Sequence, residues 1–194
     1  MKRTLTCTIA LALSVAGVAS AQSGLALKGG LSYGNVSNGG VLPGNLDTRT
    51  GFAVGLALGP GRHGLGIGIE GLYAQRGVVS STAPAAERKL DYIDVPVYLR
   101  ATLPSPGIAP FAFAGPQVSF ELRCQAGGSA CPDTDRPSTT YAAVIGGGVQ
   151  FGARTPFSIE GRYVYGLTDL NLSTVTSSDS YKTRSFMLLA GWAF

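Results

Sequence analysis

Between Lys89 and Leu103 the chain reads KLDYIDVPVYLRATL, and apolar and polar side chains take turns along it. Ile93, Val95, Val97, Leu99 and Ala101 share one parity, while Tyr92, Asp94, Tyr98, Arg100 and Thr102 share the other. Successive side chains of a β-strand point to opposite faces, so this alternation predicts a strand with one apolar and one polar face. The segment is longer than the roughly five or six residues of an ordinary soluble strand. It is long enough for the roughly nine to eleven tilted residues that cross a bilayer.

The pattern recurs along the chain and predicts about eight strands. Near Leu25–Val36, Leu25, Leu27, Leu31 and Tyr33 oppose Lys28 and Ser32. Near Thr50–Gly59, Phe52, Val54, Leu56 and Leu58 alternate with glycine and alanine, and near Leu65–Arg76, Leu65, Ile67, Ile69 and Tyr73 oppose Gly66, Gly68, Glu70 and Arg76. Further segments lie near Thr140–Gly152, Phe157–Leu167, where Glu160 and Arg162 take the polar parity, and Thr183–Phe194. The segment near Pro110–Arg123 breaks the rule: Phe111 and Phe113 have one parity, and Val118, Phe120 and Leu122 the other. One inserted residue reverses parity, so a β-bulge near Gly115-Pro116 is expected to bring both sets to one face. Pro96 and Pro116 fall at about the same height on neighbouring strands if the turn centres near Pro106.

The connections alternate. Gly59–Gly64, Pro104–Ala109 and Ala153–Pro156 are short, whereas Ser37–Arg49, Gly77–Arg88, Cys124–Ser138 and Asn171–Tyr181 are longer and polar. Bacterial outer-membrane barrels have short periplasmic turns and long external loops, and an even strand number returns both termini to the periplasm. Composition agrees. The chain has 28 glycines, 45% hydrophobic residues and 13% charged ones, yet no apolar run after residue 21 reaches membrane-helix length. The fold class expected is therefore all-β, a transmembrane antiparallel up-and-down β-barrel. A soluble lipocalin-like barrel is the alternative, with the apolar parity inside.

Residues 1–21 read as a signal peptide: Lys2 and Arg3, an apolar core from Leu5 to Val18, and Ala19-Ser20-Ala21 as a cleavage site. Residues 22–194 then form one barrel domain. Loss of Lys2 and Arg3 lowers the formal net charge from +4 to +2, which gives no reason to expect a nucleic-acid partner.

Candidate chemistry is sparse. Cys124 and Cys131 share one long polar loop, and in an exported protein they read as a disulfide closing a surface hairpin. A metal site would need more thiol or imidazole ligands, and His63 is the sole histidine, in a short turn. Glycine runs such as Gly146-Gly147-Gly148 lack the helix that a phosphate-binding loop requires and instead suit a narrow barrel. Neither a cofactor nor a catalytic cluster is expected, so no enzyme is expected either. Lys28, Glu70, Asp94, Arg100, Glu160 and Arg162 all take the polar parity. Arg or Lys facing lipid at the midplane costs about 2–4 kcal/mol, so these six are expected to pair inside the barrel as a balanced network that fills it.

Tyr92-Ile93-Asp94-Val95-Pro96-Val97-Tyr98-Leu99-Arg100 resembles a strand of the small outer-membrane β-barrel family that includes porin-like and PorT-like proteins. Leu27-Lys28-Gly29-Gly30-Leu31-Ser32, Glu70-Gly71-Leu72-Tyr73, Ala114-Gly115-Pro116 and the final Phe194 follow the same order. Trp192 and Phe194 resemble the aromatic C-terminal signal read by the barrel-assembly machinery. The resemblance implies a bacterial outer-membrane address, contact with outer-membrane lipid, and the assembly machinery as a partner during biogenesis. It leaves two classes of function: a structural or surface-interaction barrel that meets envelope proteins through its loops, or a PorT-like secretion accessory or narrow solute channel.

Overall fold

The computed structural model describes residues 24–37, 46–59, 64–80, 88–103, 105, 107–126, 128–130, 138–152, 157–168 and 182–194. The expected signal peptide, His63 and Cys131 lie outside the described residues. The strands are β1 (Gly24–Ser37), β2 (Leu46–Gly59), β3 (Gly64–Ser80), β4 (Arg88–Thr102), β5 (Ile108–Ala126), β6 (Ser129–Ala130), β7 (Thr139–Phe151), β8 (Phe157–Gly166) and β9 (Lys182–Ala193). Every pairing is antiparallel, and β6 is a two-residue piece folded back on the end of β5. The other eight strands pair with their neighbours in chain order, and β9 pairs with β1 from Ala193↔Ala26 to Lys182↔Ser37. The sheet is thus a closed eight-stranded barrel with no open edge in its wall.

The strands are staggered. From Leu25 the register runs through Leu58, Ile69 and Val97, crosses beside Pro96↔Gln117 to Pro116, and continues through Ala143, Tyr165 and Arg184. It re-enters β1 at Asn35, ten residues beyond Leu25. This stagger tilts the strands and brings residues remote in sequence to the same height in the interior.

The apolar parity faces out. Leu27, Leu56, Ile67, Leu99, Ile145 and Leu188 are exposed, while Lys28, Glu70, Asp94, Arg100, Glu160 and Arg162 are buried. This is the reverse of a lipocalin-like barrel, and that alternative falls. Aromatic residues bracket the apolar band. Phe151, Phe157 and Trp192 are register neighbours at the end carrying the termini, and Tyr163, Phe186 and Tyr33 are neighbours towards the loop end. Such girdles suit the two interfaces of a membrane.

β5 corrects the sequence reading. Its register with β7 is unbroken from Ile108↔Phe151 to Phe120↔Thr139, so there is no bulge at Gly115-Pro116. Phe111 and Phe113 are buried in the interior, whereas Phe120 and Leu122 are exposed outside. The irregularity lies higher, where Asp91↔Arg123 is followed by Tyr92↔Glu121 and Leu122 is passed over. Aromatics fit the inner face because the neighbouring β7 positions are glycines: a Cβ on Gly146 would lie 2.5 Å from the Phe113 ring, and one on Gly148 would lie 2.9 Å from Phe111. The β4–β5 ladder is interrupted between Pro96↔Gln117 and Leu99↔Ala114, beside two prolines that have no N–H to give.

Candidate functional site: the filled barrel interior

The interior is organised around four charged side chains, each at most 4% exposed: Lys28 on β1, Glu70 on β3, and Glu160 and Arg162 on β8. Lys28 Nζ donates to Glu70 Oε1 at 2.6 Å and to Glu160 Oε2 at 2.8 Å. Arg162 donates to Glu70 Oε2 at 2.7 Å through Nη1 and to Glu160 Oε1 through Nη2. Each cation therefore meets both carboxylates and each carboxylate meets both cations. The Tyr98 hydroxyl donates to Glu70 Oε1 at 2.7 Å. A cyclic arrangement of this kind satisfies charges that would be costly if left alone.

Aromatic rings close the same cross-section. The Arg162 guanidinium lies 5.1 Å from the Phe113 ring centroid, and Tyr98 and Phe113 are 4.9 Å apart, centroid to centroid. Space for these bulky groups comes from small neighbours. A Cβ on Gly68 would sit 2.5 Å from the Tyr98 ring, and one on Gly191 would meet the Ser158 hydroxyl and the Lys28 stem. The inward glycines are thus the complement of the large lumenal side chains.

Two further groups flank this network. Towards the termini, Arg100 lies 3.7 Å over the Phe111 ring and donates to Gln150 Oε1 at 2.9 Å and Thr102 Oγ1 at 3.2 Å. Towards the loops, Arg76 forms an ion pair with Asp94 and lies 5.3 Å over the Tyr92 ring, while Arg49 donates to the Arg76 carbonyl.

The structure therefore brings Lys28, Glu70, Glu160 and Arg162 together but sends Asp94 and Arg100 elsewhere. Asp94 pairs with Arg76, a residue of the polar parity outside the expected six. Arg100 has a neutral amide, a hydroxyl and an aromatic face as its partners. The expected balance of three against three also changes, since among the described residues the buried charged set is Lys28, Arg76, Arg100 and Arg162 against Glu70, Asp94 and Glu160. Sequence reasoning missed Phe111, Phe113 and Tyr98 as lumenal partners. The signal was present in the pairing of inward glycines with inward aromatics.

Cys124 is buried beside Leu90 and Tyr92 near the loop end of β5, and its expected partner lies outside the described residues. Trp192 and Phe194 are exposed at the terminal end, where the Phe194 N–H donates to the Leu25 carbonyl at 2.8 Å. Among the described residues, no group of three His, Cys, Asp or Glu side chains is placed to hold a metal ion.

A family model described as outer membrane protein beta-barrel domain matches residues 20–171. No curated protein matches. Two solved structures have the same architecture. Ail, the attachment invasion locus protein of Yersinia pestis, is similar at a TM-score of 0.52 and 17% identity, over 89% of this chain and 99% of its own. Neisserial surface protein A is similar at 0.56 and 14%, over 88% and 97%. At such identities the likeness is one of fold.

Proposed function

The chain belongs to the outer membrane protein beta-barrel domain family and is a small β-barrel protein of the bacterial outer membrane; from this premise we propose that it works with a plugged lumen, as a structural or surface-interaction barrel. The observation that carries this reading is the cross-section at Lys28, Glu70, Glu160 and Arg162, closed by Tyr98 and Phe113. Eight strands leave an interior that side chains can nearly fill, and here long charged and aromatic groups occupy it. Permeation would require breaking a mutually paired ion network inside a wall that cannot widen easily. Function then resides in the segments joining the strands at the loop end and in the partners they meet. The same reading takes residues 1–21 as the signal peptide and Cys124–Cys131 as a bridge on a surface hairpin. It takes Trp192 and Phe194 as the contact with the barrel-assembly machinery.

Liposome swelling tests the proposal. Vesicles carrying the purified protein should swell in a small sugar no faster than protein-free vesicles. Rapid swelling would favour the narrow solute channel. A stable secretion complex recovered from outer membranes by pull-down would favour the PorT-like accessory role.

A further inference from the structure

We propose that Arg184, held over the Tyr165 ring on the outer wall of the barrel, binds the phosphate of an anionic lipid in the outer leaflet. The site lies on the membrane-facing surface, so it does not depend on whether the lumen conducts.

Charge is unevenly placed on that surface. Among the described residues, the charged side chains of the outward parity are Lys89, Asp91, Arg123 and Arg184, and all four stand at the loop end of their strands. The end carrying the termini turns Leu25, Leu65, Ile108, Phe157 and Trp192 outward. Long loops face the outside of the cell in such a barrel, so these charges lie at the outer-leaflet interface. Asp91 is the register neighbour of Arg123. Arg184 stands apart from that pair, with Tyr165 on β8 and Asn35 on β1 as its register neighbours.

The surroundings of Arg184 are aromatic and apolar. Its guanidinium carbon lies 5.4 Å from the Tyr165 ring centroid. The next outward row towards the termini is Tyr163, Phe186 and Tyr33, and on β8 the apolar surface continues past Tyr165 to the exposed Leu167. The arginine is therefore set into the loop-side girdle of the membrane-facing wall. Among the described residues no carboxylate forms an ion pair with it.

That setting selects the ligand. A guanidinium lying over a ring keeps N–H donors at its edge, and two oxygens of a phosphate can accept them as a pair. At this depth on a lipid-facing wall the available anions are headgroup phosphates. The acyl chains of such a lipid would lie against Phe186 and Leu188, which follow Arg184 outward along β9 and are both exposed. A zwitterionic headgroup fits less well, because its own cation competes with the arginine for the phosphate.

Fluorescence quenching reads lipid preference at this face. The single tryptophan is moved to the site by combining Trp192→Phe with Tyr163→Trp. The protein is folded into vesicles of phosphatidylcholine and phosphatidic acid, with brominated acyl chains on one lipid or the other. Phosphatidic acid should be favoured at position 163 by about fivefold, the effect of one interfacial arginine on an anionic lipid. Arg184→Gln should abolish the preference, whereas Arg123→Gln, three strands away on β5, should leave it unchanged. Equal quenching by the two lipids with Arg184 present, or a preference that survives Arg184→Gln, would overturn the site. A preference lost equally in Arg123→Gln would reveal diffuse attraction by the whole loop end and would overturn it too. Loss of the preference on adding inorganic phosphate would assign Arg184 to a free anion and overturn the lipid. Heat-dependent gel mobility checks that each variant is folded. Phe186→Trp replaces Tyr163→Trp if that variant fails to fold, with the same outcomes required.

Discussion

Arg162 shows how much one lumenal residue carries. Its two terminal nitrogens serve Glu70 and Glu160, and its guanidinium lies over Phe113. Arg162→Met would leave two buried carboxylates against Lys28 alone, and breaking a buried pair in this way costs about 3–5 kcal/mol. The temperature at which the folded band converts to the unfolded one on a gel should fall accordingly. Arg162→Met combined with Glu160→Met should recover a good part of the loss, because charge is then removed in matched amounts. Gly68→Val makes the reciprocal test of packing. The new Cβ would meet the Tyr98 ring at 2.5 Å, and overpacking of this kind costs about 1–3 kcal/mol in the same assay. The inward placement of Lys28, Glu70, Glu160 and Arg162 was legible in the sequence because strand parity has a period of two. Their partners were not. Lys28 and Glu160 are 132 residues apart, and they meet only through the stagger of a closed ring, which no local pattern encodes.

At the scale of the strand, alternation was a sound guide wherever one face was uniformly apolar. β4 therefore reads directly, with Val97 and Leu99 exposed and Tyr98 and Arg100 buried. β5 misled because its lumenal aromatics look like lipid-facing residues, and only the glycines of β7 reveal the room made for them. Leu99→Arg should therefore cost about 2–4 kcal/mol near the midplane, whereas exposed positions at the loop end, such as Arg123, should accept other charged residues with little effect. A urea titration in lipid vesicles measures both. β9 closes the barrel against β1, and its last residues present Trp192 and Phe194 outward. Trp192→Ala with Phe194→Ala should lower the amount of assembled protein in the outer membrane and raise proteolysis in the periplasm. If membrane yield is unchanged while the isolated protein is less stable, these aromatics act as an interfacial belt alone. Loss of the proposed Cys124–Cys131 bridge should leave gel mobility of the folded barrel unaltered, because β5 is held over its length by β4 and β7.

For the whole molecule, fold and address follow from one physical arrangement: apolar residues outside, charged and aromatic residues inside, and glycines where the interior would otherwise be overfull. The eight-stranded barrel could be read from alternation and composition, whereas the side on which the apolar parity lies is decided by the exposure of Leu27, Leu56 and Leu99. The division of the lumen into an Arg100 group, a central network and an Arg76–Asp94 pair could not, because it depends on which inward residues share a height. The filled interior is proposed to block conduction, and planar-bilayer recording tests this. The wild-type protein is predicted to give no steady open current, while Arg162→Ala, which removes both the pairing and the volume at the central cross-section, is predicted to open a measurable one. A large, steady and weakly selective conductance from the pure wild-type protein would show that the lumen is open.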